Sequence, residues 1–171
     1  YFLDEIKMIN TYNLFTVQVH HGKFPIPIEL HKKIISFVED NISMSDTYFS
    51  SVKGYQNHED FKGKKEIDKL LNQYLNNIHQ LNLGHGWLNV LGNDSYNKPH
   101  SHMGNNVSHS AILYLSNENN NINFTKDSNV FEIKPKMFDL LIFPCDLLHY
   151  VLPEKRNEKR ISYAMNLSVV E

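Results

Sequence analysis

His100 and His102 stand two residues apart, and His149 follows on a later segment. Side chains alternate along an extended strand, so residues i and i+2 point to the same face. A third imidazole from another strand would complete a facial set around one metal ion and leave the opposite side open. Iron(II) uses open facial sets of this kind for oxygen chemistry, most often with two histidines and a carboxylate. Arg160, eleven positions beyond His149, supplies a fixed cation for an anionic cosubstrate.

The flanking residues agree. Residues 136–151 read as a buried strand, a turn at Pro144 and a second short strand carrying His149; a polar turn over residues 153–159 then leads into Arg160. From there Arg160, Ser162, Ala164 and Asn166 share one strand face, and Ile161, Tyr163, Met165 and Leu167 share the other. The inner face of a small barrel is normally apolar, so arginine, serine and asparagine on it point to a polar pocket. Taken singly, each residue has a plainer reading. A lone histidine is usually surface or core, and Arg160 beside Arg156 and Lys159 reads as a solvated charge. The ordered combination reverses that weighting. Asp94 and Asp146, the carboxylates nearest in sequence, lack the spacing of ligands and are left out of the set.

The elements that must position these groups fall into two unequal parts. Residues 11–27 alternate as a first strand and stop at Pro25-Ile26-Pro27. Pro27 opens an amphipathic helix, Ile28 to Asn41, with a stripe of Leu30, Ile34, Ile35, Phe37 and Val38. Residues 43–59 read as a loop, and residues 65–82 as a second helix through Ile67, Leu70, Leu71, Tyr74, Leu75 and Ile78. From Gly86 onward the chain reads as short strands and turns, with a polar loop over residues 117–123. Helices followed by short strands indicate an α+β domain built on a double-stranded β-helix, a jelly roll braced by N-terminal helices. The whole chain, 1–171, is expected to form one domain, with helical support over 28–82 and a barrel core over 86–168. The loops 43–64 and 103–108 are expected to form the mouth of the pocket.

Composition bounds the possibilities. The chain has 171 residues, 41% hydrophobic and 21% charged, with a net charge of −2, enough for a sizeable core. A near-neutral balance argues against nucleic-acid binding, which needs a basic face. The single cysteine, Cys145, excludes an internal disulfide and fits a reducing compartment, here the cytoplasm. No apolar run approaches the ~20 residues of a membrane span. The chain opens on Tyr1, which leaves its native start and any targeting segment open. Abundant Asn, Lys and Ile match an AT-rich genome, compatible with a phage or a marine bacterium. Substrate and oligomeric state are not legible.

The order of Trp87-Leu-Asn-Val, His100-Ser-His102, Ala111-Ile-Leu-Tyr114-Leu, residues 138–149 and Arg160-Ile-Ser162-Tyr-Ala-Met-Asn resembles the 2-oxoglutarate/Fe(II)-dependent dioxygenases. It is most similar to their prolyl-hydroxylase-like branch and to small bacterial and phage oxygenases. The likeness is close over residues 87–168 and looser over 55–58 and the opening from Phe15 to Pro27. It implies that His100, His102 and His149 bind Fe(II), and that Arg160 pairs with the distal carboxylate of 2-oxoglutarate. Ser162 and Tyr114 would bond the same group, and Asn89 and Asn166 would line the pocket. It further implies O2 as co-reactant, 2-oxoglutarate decarboxylated to succinate, and hydroxylation of a peptide or small molecule. The family pattern places His-x-Asp where this chain has His100-x-His102, so the set is expected to hold a metal through three imidazoles in place of two and a carboxylate.

Two other readings stay open. A cupin-like metalloenzyme also uses a histidine-rich jelly roll, but has no standing need for Arg160. A non-catalytic binding module would explain His102 in place of a carboxylate. Among the remaining candidates, His109 has the opposite strand parity from Tyr114 and should turn away from the pocket. His20 and His21 read as structural, His58 as structural ahead of substrate-facing, Cys145 as packing, and Trp87 as a core anchor.

Overall fold

Strand alternation and the i, i+4 spacing of the helices divide the apolar residues between two packed layers. The computed structural model describes residues 9–14, 17–42, 50–117, 121–155 and 157–170. In chain order the elements are β1 (Ile9–Leu14), β2 (Val17–Lys23), α1 (Ile28–Asn41), β3 (Ser51–Asn57), α2 (Lys64–His79) and β4 (Leu81–His100). They continue as β5 (His109–Tyr114), β6 (Ile122–Lys126), β7 (Asn129–Ile133), β8 (Asp139–Pro144), β9 (Leu148–Val151) and β10 (Arg160–Val169). The strands pair antiparallel in the order β1-β2-β8-β5-β10-β4-β9-β6-β7, with β3 also on β4.

One face of the sheet carries the helices. Leu30, Ile34 and Val38 of α1, and Ile67, Leu71 and Leu75 of α2, cover Leu88, Val90, Ala111, Leu113, Leu140, Ile142, Ile161, Tyr163 and Met165. The alternate residues point into the curl, where Val19, Ile112, Tyr114, Leu141 and Phe143 meet Ile122, Phe124 and Ile133 of β6 and β7. Each buried Leu, Ile, Val or Phe contributes about 1.5–3 kcal/mol. This curled antiparallel sheet with two helices on one face is a double-stranded β-helix, as the patterning indicates.

Four expectations need correction. The single first strand read over 11–27 is two strands, β1 and β2, paired antiparallel. The stretch read as a loop over 43–59 contains β3, whose residues bond to β4; short, polar and broken by Gly54, it carries almost no periodic signal. The second helix stops at His79, because Gln80 turns left-handed (φ 53°) and Leu81 starts β4. The barrel is not confined to residues 86–168, since β1, β2 and β3 belong to the same sheet. Phe15, Arg156, and residues 43–49 and 118–120 of two expected loops lie outside the described residues. Among the described residues no helix is long and apolar enough to cross a membrane.

The strand that matters most for position is β4. Its first half pairs with β10 up to Leu91, and its end pairs with β9 at Asn97 and His100. The change of direction sits at Asp94, in the left-handed region at φ 56°, which Asp tolerates better than most residues. Ser95 Oγ pins the corner by accepting from Gly92 N at 3.1 Å and donating to the Lys53 carbonyl.

Candidate metal centre

The corner in β4 delivers His100 opposite His149 of β9 in antiparallel register. His102 lies just past the end of β4 instead of on it, so parity alone does not bring it in. Its main-chain N–H donates to the Cys145 carbonyl at 2.7 Å and anchors the segment beside the turn before β9. One ligand atom from each of His100, His102 and His149 lies within 4.8 Å of the others. Ring centroids are 4.3 Å apart for His100 and His149, 5.0 Å for His100 and His102, and 5.1 Å for His102 and His149. No carboxylate joins this group among the described residues.

The surroundings keep the three rings neutral, the form that binds metal. Burial lowers the pKa of His100; burial and then the neighbouring His100 hold His102 down to about 4. Burial, then His100 and His102, push His149 well below the ordinary histidine range. His100 Nδ1 bonds the Lys98 carbonyl at 2.7 Å, and His149 Nδ1 bonds the Leu147 carbonyl at 3.0 Å. Each bond protonates Nδ1 and leaves Nε2 as the free lone pair.

A narrow pocket with a cavity volume of about 30 Å³ runs from the triad to Arg160. Arg160 opens β10 and is 1% exposed, yet no carboxylate pairs with it among the described residues. Its contacts are weak: Nη2 donates to Tyr114 Oη at 3.4 Å, Nη1 to Ser162 Oγ at 3.5 Å, and Nε has no acceptor. The guanidinium also lies 5.0 Å from the centre of the Tyr114 ring. Burial lowers the Arg160 pKa from its ordinary value, with Tyr114 opposing, and raises Tyr114 to about 12. A buried cation without a counter-ion is costly unless an anion arrives. Three neutral imidazoles at one end and an unpaired guanidinium at the other fit a divalent transition metal and an organic anion lying between them.

Ser162 also donates to the Asn89 carbonyl at 3.4 Å. The Asn89 side chain is held in a closed ring: Ser51 Oγ donates to Asn89 Oδ1 (2.8 Å), Asn89 Nδ2 to Asn97 Oδ1 (3.2 Å), and Asn97 Nδ2 to Ser51 Oγ (2.7 Å). Asn89 therefore lines the cavity as a fixed wall. Sequence reasoning missed Ser51 and Asn97. The even spacing of Asn97 from Asn89 along β4 was the available signal for one, and nothing local marked the other. Asn166 departs from expectation: it lies beside His102, on the outer side of the triad, and not at the Arg160 end.

Outside the triad a groove of about 570 Å³ is lined by Gln56, His58, His85, Trp87, Lys98 and Ser101. Trp87, buried as the core-anchor reading requires, also borders this groove. Its ring lies 5.5 Å from that of His102 and 5.1 Å from that of His58, and His58 Nδ1 meets His85 Nε2 at 3.1 Å. His58 thus belongs to the groove wall rather than to plain packing. Residues 103–108 are not among the lining residues, because the chain turns away after His102 to bond Cys145 N to Ser108 O.

His109 turns away from the cavity, as parity requires, and neighbours His20 and His79 on the helix-bearing side. His21 pairs with Asp139 at 2.9 Å, and His20 Nδ1 meets Thr11 Oγ1 at 3.2 Å. Cys145 Sγ donates to the Val107 carbonyl, and burial raises its pKa, which suits packing and not nucleophilic work.

No protein-family model matches this chain, and no curated protein does. Solved structures do. A prolyl-4-hydroxylase of Pseudomonas putida superposes with a TM-score of 0.63 at 14% identity, over 92% of this chain and 95% of that one. HygX of Streptomyces hygroscopicus, with nickel and 2-oxoglutarate bound, gives 0.61 at 11%, over 88% and 82%. A Trichoplax adhaerens prolyl hydroxylase, in complex with a hypoxia inducible factor peptide fragment, gives 0.57 at 12%, over 82% and 77%. At these identities the likeness is one of fold, the jelly roll of the 2-oxoglutarate oxygenases.

Proposed function

We propose that this chain is a 2-oxoglutarate- and Fe(II)-dependent dioxygenase, hydroxylating a peptidyl group, prolyl among the candidates, or a small molecule. The observation that carries the reading is Arg160: a buried guanidinium without a carboxylate partner, at the closed end of a cavity whose other end holds three neutral imidazoles. The solved structures of the same fold support it, since one holds 2-oxoglutarate with nickel and another a peptide.

In this reading His100, His102 and His149 hold the metal through one nitrogen each. Arg160 takes the distal carboxylate of 2-oxoglutarate, where its planar fork donates to two oxygens at once. The hydroxyls of Ser162 and Tyr114 flank the fork and donate to the same carboxylate. Asn89, locked by Ser51 and Asn97, keeps the wall from collapsing into the cavity before the anion arrives. Burial excludes water from this end, which strengthens each of these hydrogen bonds. When bound, the iron and 2-oxoglutarate supply the oxidising chemistry, consuming O2 and releasing succinate and carbon dioxide.

The test is an anaerobic titration of the Fe(II)-loaded protein with 2-oxoglutarate, following the visible metal-to-ligand charge-transfer band. A saturable band that is lost in Arg160→Ala, with iron still bound, is the expected result. Absence of the band in the iron-loaded wild type overturns the reading.

The all-imidazole triad favours a second reading, a barrel that binds metal without oxygenase turnover. His102→Asp separates the two. A gain in coupled succinate formation marks the native centre as impaired, and a loss marks His102 as the working ligand.

A further inference from the structure

Exchanging a carboxylate for an imidazole creates a requirement that aspartate does not have. A carboxylate offers two equivalent oxygens, whereas an imidazole must be held in the one tautomer that turns its lone pair to the metal. For His100 and His149 the Lys98 and Leu147 carbonyls do this. His102 lies beyond the strand end, and its main-chain bond to Cys145 fixes the backbone but leaves the ring free to turn.

Two neighbours restrain that ring. It lies between Trp87, at 5.5 Å and 25° between planes, and His149, at 5.1 Å and 12°. Asn166 of β10 lines the same groove as His102 and sits on the strand face that also carries Arg160 and Ser162. The Asn166 side-chain oxygen is buried and has no hydrogen bond of good geometry. A buried carbonyl oxygen left unpaired loses its hydration without a replacement, so such an oxygen in a folded chain calls for a donor. His102 lines the same groove as Asn166, and its ring N–H is the donor available there.

We propose that Asn166 is a positioning residue for the third metal ligand: its Oδ1 accepts the ring N–H of His102 and so aims the other ring nitrogen at the metal, while Trp87 holds the ring plane. The proposal rests on reading the triad as a metal centre, and its test separates the two.

Long-range proton–nitrogen NMR of the metal-free protein at neutral pH reads the tautomer of each ring directly. One tautomer of His102 is expected in the wild type and a mixture in Asn166→Ala, with His100 and His149 unchanged. Anaerobic Co(II) titration, followed by quenching of the single tryptophan Trp87, should show affinity weakened about 10- to 100-fold in Asn166→Ala. Asn166→Asp should restore both the single tautomer and the affinity, because a carboxylate oxygen accepts the same bond. One retained tautomer with unchanged Co(II) affinity in Asn166→Ala overturns the proposal. If that variant does not fold, Asn166→Asp decides: wild-type or tighter binding with one tautomer supports it, and a tautomer mixture overturns it. A wild-type protein with one His102 tautomer that binds no Co(II) refutes the metal reading and the ligand role built on it. Tight wild-type binding with a mixed tautomer refutes the role of Asn166 alone.

Discussion

Arg160 shows how one residue is decided by shape as well as charge. Its contacts to Tyr114 and Ser162 are long, 3.4 and 3.5 Å, so the fork is held loosely. Arg160→Lys keeps the charge but offers no bidentate fork. If the proposed function holds, it should weaken 2-oxoglutarate binding at least about tenfold, with iron affinity unchanged, in calorimetric titration. Equal binding by Lys would leave only the charge to matter. Much of this site was legible in the sequence. The alternation after Arg160 put arginine and serine on the interior face, and the His-x-His pair announced the triad. Asn166 was legible as a pocket residue but not in its role, because parity gives a face and not a distance along it. The imidazole pair His58 and His85 was not legible at all, since 27 residues separate partners that meet only through tertiary packing.

At the scale of elements, α2 is fastened to the sheet by a polar latch as well as by apolar packing. Tyr163 Oη donates to Asp68 Oδ1, and Lys64 Nζ donates to both Tyr163 Oη and Asp68 Oδ2, each at 2.8 Å. The Tyr163 ring lies across Gly86 of β4, where any added Cβ would strike its hydroxyl end. Gly86→Ala should therefore push Tyr163 off the latch and cost about 1–3 kcal/mol in urea unfolding. A neutral result would show that Tyr163 can swing without loss. In the helix layer, Leu71→Ala removes a side chain with 0% exposure and should cost about 2–5 kcal/mol. The two helices were legible because their stripes are long and regular. β3 was not, since what makes it a strand is its partner β4 and not its own composition.

For the molecule as a whole, the histidines set the response to acid. His20, His58, His79, His85, His100, His102, His109 and His149 all have pKa values lowered in the fold, with burial the first cause in each. In the unfolded chain each protonates near 6.5. Below that pH the unfolded state takes up protons that the folded state refuses, so stability present at neutral pH drains away as pH falls. His102, held down to about 4, accounts for roughly 3 kcal/mol of this by itself. The metal-free protein should therefore melt markedly lower at pH ~5 than at pH ~7, and bound Ni(II) should raise the neutral-pH melting temperature. A flat melting profile across that range would mean that these rings are not buried as neutral groups.

The bent strand β4 adds a consequence in time. It is the member shared by both halves of the curl, and its last residue, His100, pairs with His149 on β9 across the whole β5 to β8 segment. Contacts between residues so distant in sequence are slow to form, because the loop between them must close first. The centre is therefore among the last features to assemble during refolding. The rate at which a refolding chain becomes competent to capture a metal ion should lag behind its helix signal, so metal capture serves as a clock for closure of the barrel.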